Sequence, residues 1–139
     1  MGSAPVKLLL DTHIWLWYGL GNNKLAETLR TVVAEANNEL WISPISVWET
    51  LLLAEKGKIT LQPDPIEWIK ATLKLLGARE ATLNYNIAVL SRQIACPHKD
   101  PADRFIAATA VHYNLKLVTV DQNLSNTPLL DVIDGSFKG

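Results

Sequence analysis

Short apolar runs alternate along this chain with longer stretches of helical spacing, and two of the runs stop at an aspartate. Val6–Leu10 (V-K-L-L-L) runs into Asp11, and Leu115–Val120 (L-K-L-V-T-V) runs into Asp121. Runs of this length suit buried strands and are too short for helices. Strands separated by helices need crossover connections, which give a parallel sheet with helices on both faces. In such a sheet ligands collect beyond the carboxyl ends of the strands, where both aspartates fall.

The intervening segments fit this plan. Lys24–Ala36 places Leu25, Leu29, Val32, Val33 and Ala36 on one side of a helix that Asn37-Asn38 ends. Leu40–Ile42 reads as a second strand, broken by Ser43-Pro44. Ser46 is placed as the N-cap of a helix from Val47 to about Glu55, with Gly57 stopping it and Glu49 in its first turn. Pro65–Leu76 is a helix with proline at its start and Gly77 at its C-terminal cap. Arg79–Leu83 carries a weak strand signal, and Tyr85–Ala95 is helical in period up to Pro97. Asp100-Pro101 opens a helix that carries Phe105, Ile106, Ala107, Ala110 and Val111 to about Tyr113, where Asn114 stops it. Asp131–Ile133 would add a last edge strand. The expectation is one α/β domain over residues 1–139, with a mainly parallel sheet of about five strands.

Composition narrows the function classes. Hydrophobic residues make up 48% and charged residues 19%, the balance of a compact globular chain rather than a disordered one. No apolar run reaches the ~18 to 20 residues of a membrane span. Val6–Leu10 is too short for a signal-peptide core, and no small-residue cleavage site follows it. The lone Cys96 builds no intrachain disulfide framework, so a cytoplasmic protein is expected. With a net charge of −1 the whole-protein field offers little attraction to nucleic acid. A polyanionic substrate would need bound divalent cations, clustered basic side chains or a partner chain, and the acids point to the first.

Each acid has a structural reading beside a functional one. Asp11 and Asp121 suit turns or helix caps as well as a ligand position. Glu49 lies at capping-box spacing from Ser46. Asp100, next to Pro101, has the position of an N-cap or outer-shell group, while Asp103 points back toward the same helix end and is the preferred ligand. Taken together, Asp11, Glu49, Asp103 and Asp121 would repel one another at a shared edge unless a cation lay between them. Mg²⁺ suits an oxygen-only set and serves phosphate chemistry by polarising a phosphodiester and activating water. Zinc does not suit, because His13, His98 and His112 lack ligand-like spacing and Cys96 stands alone.

Four segments, L-L-L-D-T-H-I-W-L-W at Leu8–Trp17, I-S-P-I-S-V-W-E-T at Ile42–Thr50, H-K-D-P-A-D-R-F-I-A-A-T-A at His98–Ala110 and L-V-T-V-D at Leu117–Asp121, resemble in order those of a PIN domain. The chain resembles in particular the VapC-type toxins of toxin–antitoxin pairs, and Gly57–Leu61 (G-K-I-T-L) is similar to a feature of a subgroup. The resemblance implies a three-layer α/β/α sandwich and an endoribonuclease dependent on Mg²⁺ or Mn²⁺. It also implies an RNA substrate, a homodimer and inhibition by a VapB-type antitoxin. Asp11, Glu49, Asp103 and Asp121 match the family's acidic quartet; Thr12 and Thr119 fall where a hydroxyl often stands near the metal waters. Arg104 matches the arginine of the D-P-x-D-R motif, open to a phosphate, an antitoxin carboxylate or a structural ion pair.

The expected reaction has Asp11 and Asp103 on one Mg²⁺, with Glu49 and Asp121 bound through water or on a second ion. Hydrolysis by activated water would leave a 5′-phosphate. An aspartyl phosphatase would need an acid two residues after Asp11, where His13 stands. A phospho-receiver would need a lysine after a late strand, where Asp121 stands. The remaining rival is a catalytically weak module of the same fold that binds nucleic acid or protein. Trp15 and Tyr18 share helical spacing and are read as core, with Trp17 beside them; the alternative is an exposed patch for a partner. The three histidines are read as structural or surface groups and Cys96 as buried. Lys56, Lys58, Arg92, Lys99 and Arg104 are scattered bases that no single sequence ranks for RNA contact.

Overall fold

A computed structural model describes residues 5–97 and 99–135. His98, read above as a surface group, lies outside them. Its elements run β1 (Lys7–Leu10), α1 (Thr12–Leu20), α2 (Glu27–Ala34), β2 (Glu39–Ile42), α3 (Pro44–Glu55), α4 (Pro65–Leu76), β3 (Arg79–Glu80), α5 (Tyr85–Gln93), α6 (Pro101–Tyr113), β4 (Lys116–Val118), α7 (Gln122–Ser125) and β5 (Val132–Ile133). The sheet order is β3-β2-β1-β4-β5, and every pairing among the described residues is parallel.

The chain starts in the middle of the sheet, winds outward through β2 to β3, then returns to lay β4 on the other side of β1. Connections therefore leave β1 and β4 in opposite directions, and a crevice opens between their carboxyl ends. Asp11 and Asp121 follow those two strands.

Alternation along the strands builds the two outer layers. Leu8 and Leu10 join Leu40, Ile42 and Val118 in a core with Trp15, Leu29, Trp68 and Ile69. Leu9 and Leu117 face the other way, onto Ile106, Ala107 and Ala110 of α6 and Leu124 of α7. Successive strand side chains point to opposite faces, so a sheet covered on both sides needs these unbroken apolar runs. On the first side α1 lies close to α4: Trp15 meets Trp68 at 5.7 Å between rings, and a Cβ on Gly19 would come within 2.8 Å of Trp68. Only glycine admits the two helices at that distance. No helix among the described residues is long and apolar enough to cross a membrane.

Several boundaries differ from the sequence expectations. The helix expected from Val47 begins at Pro44, and its N-cap is Ser43, whose Oγ accepts the Ile45 N–H at 3.0 Å. Proline at the first helical position costs nothing, because the amide it lacks would be unpaired there. Ser46 therefore lies inside α3, Glu49 is beyond the first turn, and no capping box forms between them. The helix expected over Lys24–Ala36 is confined to Glu27–Ala34, since the Lys24 N–H bonds the Asn22 side chain in a turn. α5 stops at Gln93, where Ile94 becomes extended. The strands β3, β4 and β5 are shorter than expected and keep only their paired residues.

Candidate active site

The crevice is a cleft of about 360 Å³ walled by Asp11, Glu49, Asp100, Asp103 and Asp121. Thr12, His13, Trp17 and Val120 complete its lining. The fold thus brings every acid of the sequence-derived quartet, with Asp100, to one space. Among the described residues no three acidic, histidine or cysteine side chains crowd closely enough to form a ready-made cage for an ion. The acids ring the cleft instead, anchored by separate networks.

Asp11 is the N-cap of α1. Its Oδ1 accepts the Thr12 N–H at 2.8 Å and its Oδ2 accepts the Thr119 hydroxyl at 2.7 Å. Thr119 Oγ1 in turn accepts the Asp121 N–H at 3.0 Å, so a polarised chain of hydrogen bonds ties the end of β4 to the end of β1. Asp11 is only 7% exposed. Burial raises its pKa above the ordinary carboxylate value, opposed by the bonds from Thr119 and Thr12 and by nearby His13, and reinforced by the charge of Asp121.

Glu49 reaches the cleft from α3, and its Oε1 accepts the Thr12 hydroxyl at 2.6 Å. Thr12 Oγ1 also lies 2.8 Å from Ser46 Oγ. Thr12 has one proton, and an ionised carboxylate can only accept, so Ser46 donates to Thr12 and Thr12 donates to Glu49. The pKa of half-buried Glu49 is raised mainly by desolvation, opposed by Thr12 and His13 and reinforced by the charges of Asp11 and Asp100. Ser46 was expected to cap a helix. Its buried hydroxyl instead orients a threonine 34 residues away, a partnership with no local sequence signal.

Asp100 and Asp103 stand at the start of α6. Asp100 is the N-cap, its Oδ1 accepting the Ala102 N–H at 2.9 Å, and half-buried Asp103 lies in the first turn. Arg104 follows them, and its guanidinium donates to the carbonyls of Ser91 at 2.8 Å, Cys96 at 2.8 Å and Ile94 at 2.9 Å. These contacts clamp the end of α5 and the segment after it to the first turn of α6, fixing where Asp100 and Asp103 stand. Main-chain carbonyls were not among the partners considered for Arg104 from sequence. Asp121 caps α7, its Oδ1 accepting the N–H groups of Asn123 at 2.9 Å and Leu124 at 3.2 Å.

The donor set is oxygen only, from carboxylates and hydroxyls, and is chemically suited to a hard divalent cation. Among the described residues lining the cleft none is lysine or arginine. Lys56, Lys58, Arg92 and Lys99 are exposed elsewhere on the surface. Sequence reasoning missed His13, Trp17 and Val120 as cleft residues. His13 and Trp17 are four apart on α1, the spacing that puts two side chains on one helix face, and that was the available signal. Trp15 is fully buried, as expected, whereas Tyr18 is half-buried with the Arg30 guanidinium 5.8 Å from its ring centre. Cys96 is buried.

Comparison with known proteins agrees with this fold. Residues 8–130 match the model of the PIN domain. The chain is 32% identical over 120 residues to Ribonuclease VapC22 of Mycobacterium tuberculosis, an alignment covering 84% of this chain and 88% of the relative. Its fold is similar to that of VapBC2 from Rickettsia felis, solved bound to a promoter DNA fragment, with a TM-score of 0.69, 17% identity and coverage of 92% of this chain and 98% of that one. DNA-bound VapBC from Salmonella typhimurium is also similar, with a TM-score of 0.64, 19% identity and coverage of 92% and 97%. The chain belongs to the PIN-domain family, within its VapC group.

Proposed function

We propose that the protein is a divalent-metal-dependent endoribonuclease, the toxin of a toxin–antitoxin pair. The observation that carries this reading is the convergence of Asp11, Glu49, Asp103 and Asp121 on one cleft at the crossover point of the sheet. The name of the relative from Mycobacterium tuberculosis supports RNA as the substrate. Asp11 and Asp103 would hold Mg²⁺, or Mn²⁺ in its place, with Glu49 and Asp121 completing its surroundings. Once bound, the cation supplies positive charge that polarises a phosphate oxygen and eases ionisation of water.

The chain's own residues do the rest. Thr119 holds Asp11 by its Oδ2, and Thr12 holds Glu49 by its Oε1, so both carboxylates meet the substrate already oriented. Preset orientation matters because a misplaced ligand must be reorganised before the phosphodiester can react. Asp100 serves as a cap with its outer edge toward the cleft, and Arg104 positions the turn that carries Asp103. The product carries a 5′-phosphate. A VapB-type antitoxin inhibits the enzyme, a reading supported by the VapBC complexes of similar fold, and the enzyme works as a homodimer in the cytoplasm.

Incubating the protein with short RNA in Mg²⁺, and again in EDTA, tests the activity. Cleavage that needs the metal and disappears in Asp103→Asn is the expected result. Cleavage that survives chelation would contradict the assignment.

A further inference from the structure

We infer that His13 and Trp17 form a stacking platform for the nucleobase next to the scissile phosphate; the inference rests on the ribonuclease reading above. His13 is exposed, Trp17 is half-buried against the core, and their rings lie 5.8 Å apart on the face of α1 that lines the acidic cleft. Exposed Val120 adds an apolar edge on the β4 side of the same cleft.

The electrostatics make this pair more than incidental. The cleft is lined by five carboxylates, so contacts that need no positive charge on the strand's partner suit an RNA base there. A cation can hold the phosphate but leaves the bases uncontacted. Aromatic faces bind unpaired bases with no demand for positive charge, which is how single-stranded nucleic acid is commonly held. The pair begins two residues after Asp11 and lines the same cleft as the acids. Accessibility sets the pair apart from Trp15, whose ring is fully buried.

The test uses a pool of short single-stranded RNA of randomised sequence, with the full chain and its His13→Ala, His13→Phe, Trp17→Ala and Trp17→Phe variants. In Mg²⁺ the platform predicts that His13→Ala and Trp17→Ala raise KM about tenfold or more with little change in kcat, because stacking acts in binding. Sequenced cleavage ends should lose their base preference at one nucleotide beside the cut in both alanine variants and keep it in both phenylalanine variants. A helical or packing role alone would not move that preference. His13→Ala removes an exposed side chain, so it keeps the test sound even where Trp17→Ala unfolds. Wild-type KM and base preference in His13→Ala and in a folded Trp17 variant would overturn the platform and leave the pair to a protein partner. Failure of the wild type to cut any RNA would instead sink the ribonuclease reading. Fluorescence anisotropy of the uncut pool would still decide the platform, upheld by tenfold weaker binding in His13→Ala and refuted by equal binding.

Discussion

The hydroxyl of Thr119 donates to Asp11 Oδ2 at 2.7 Å, joining residues 108 positions apart at the ends of two neighbouring strands. The same oxygen accepts the Asp121 N–H, so one side chain fixes two acids of the cleft. Thr119→Val keeps the shape but leaves the Asp121 amide and the buried carboxylate each short of a partner. A stability loss of about 1–3 kcal/mol is expected, with a drop in RNA cleavage. Thr119→Ser should recover most of both. Denaturant unfolding and initial rates check it, and a Thr119→Val protein as active as the wild type would remove the threonine from the site.

Burial of Asp11 sets a pH dependence whose sign is opposite to the usual acid case. Unfolded, the group titrates near 3.8; folded, desolvation holds it higher. Between those two pH values the folded state binds more protons, so its stability falls as pH rises through the window. Glu49 acts in the same direction. In the absence of divalent metal, Asp11→Asn should therefore melt at a higher temperature than wild type at neutral pH and show no advantage below pH 3.8. Added Mg²⁺ should stabilise wild type and not the variant. A variant that melts lower at neutral pH would mean that the carboxylate's hydrogen bonds outweigh its desolvation.

Glu49 and Ser43 divide roles that the sequence assigned to Glu49 and Ser46. Ser43→Ala removes the true N-cap of α3 and should cost about 1 kcal/mol. Glu49→Gln removes no cap and one half-buried charge, so its melting temperature should match or exceed wild type while cleavage falls sharply. Thr12→Val should lower both, because Ser46 and Glu49 lose their shared partner. Thermal melts of the three proteins check the pattern; a destabilised Glu49→Gln would restore the capping role.

Local signals read well and distant ones did not. The unbroken run into Asp11, Gly77 closing α4 with φ +58° and Asn114 closing α6 with φ +55° follow from chemistry within a few residues, and each was legible. The start of α3 was misplaced because proline breaks a strand and opens a helix equally well, and the bond from the Ile45 N–H to Ser43, with Ser46 turned to Thr12 instead, reveals which serine is the cap. Trp17 was hard to place because α1 carries apolar residues nearly all round, so the sequence shows no polar face to mark which ring meets the cleft. The described partners of Arg104 are main-chain carbonyls set by the path between α5 and α6, which side-chain identities do not encode.

Arg104 should behave as a structural clamp. Arg104→Ala strands three carbonyls and is expected to lose about 3 kcal/mol of stability, and Arg104→Lys should rescue little because an ammonium lacks the planar fork. Urea unfolding measures this directly. Full stability with weakened RNA binding would assign the arginine to the substrate instead.

The central claim is that the ringed acids work together with a divalent cation on an RNA phosphodiester. Its most direct test is the end chemistry of RNA cut by the purified protein, in Mg²⁺ and in EDTA, for wild type, Asp11→Asn and Asp103→Asn. The account predicts 5′-phosphate ends from wild type in Mg²⁺ alone, with cleavage by either variant down at least a hundredfold, on the order of a lost catalytic group. Cleavage in EDTA, or products ending in a 2′,3′-cyclic phosphate, would contradict it.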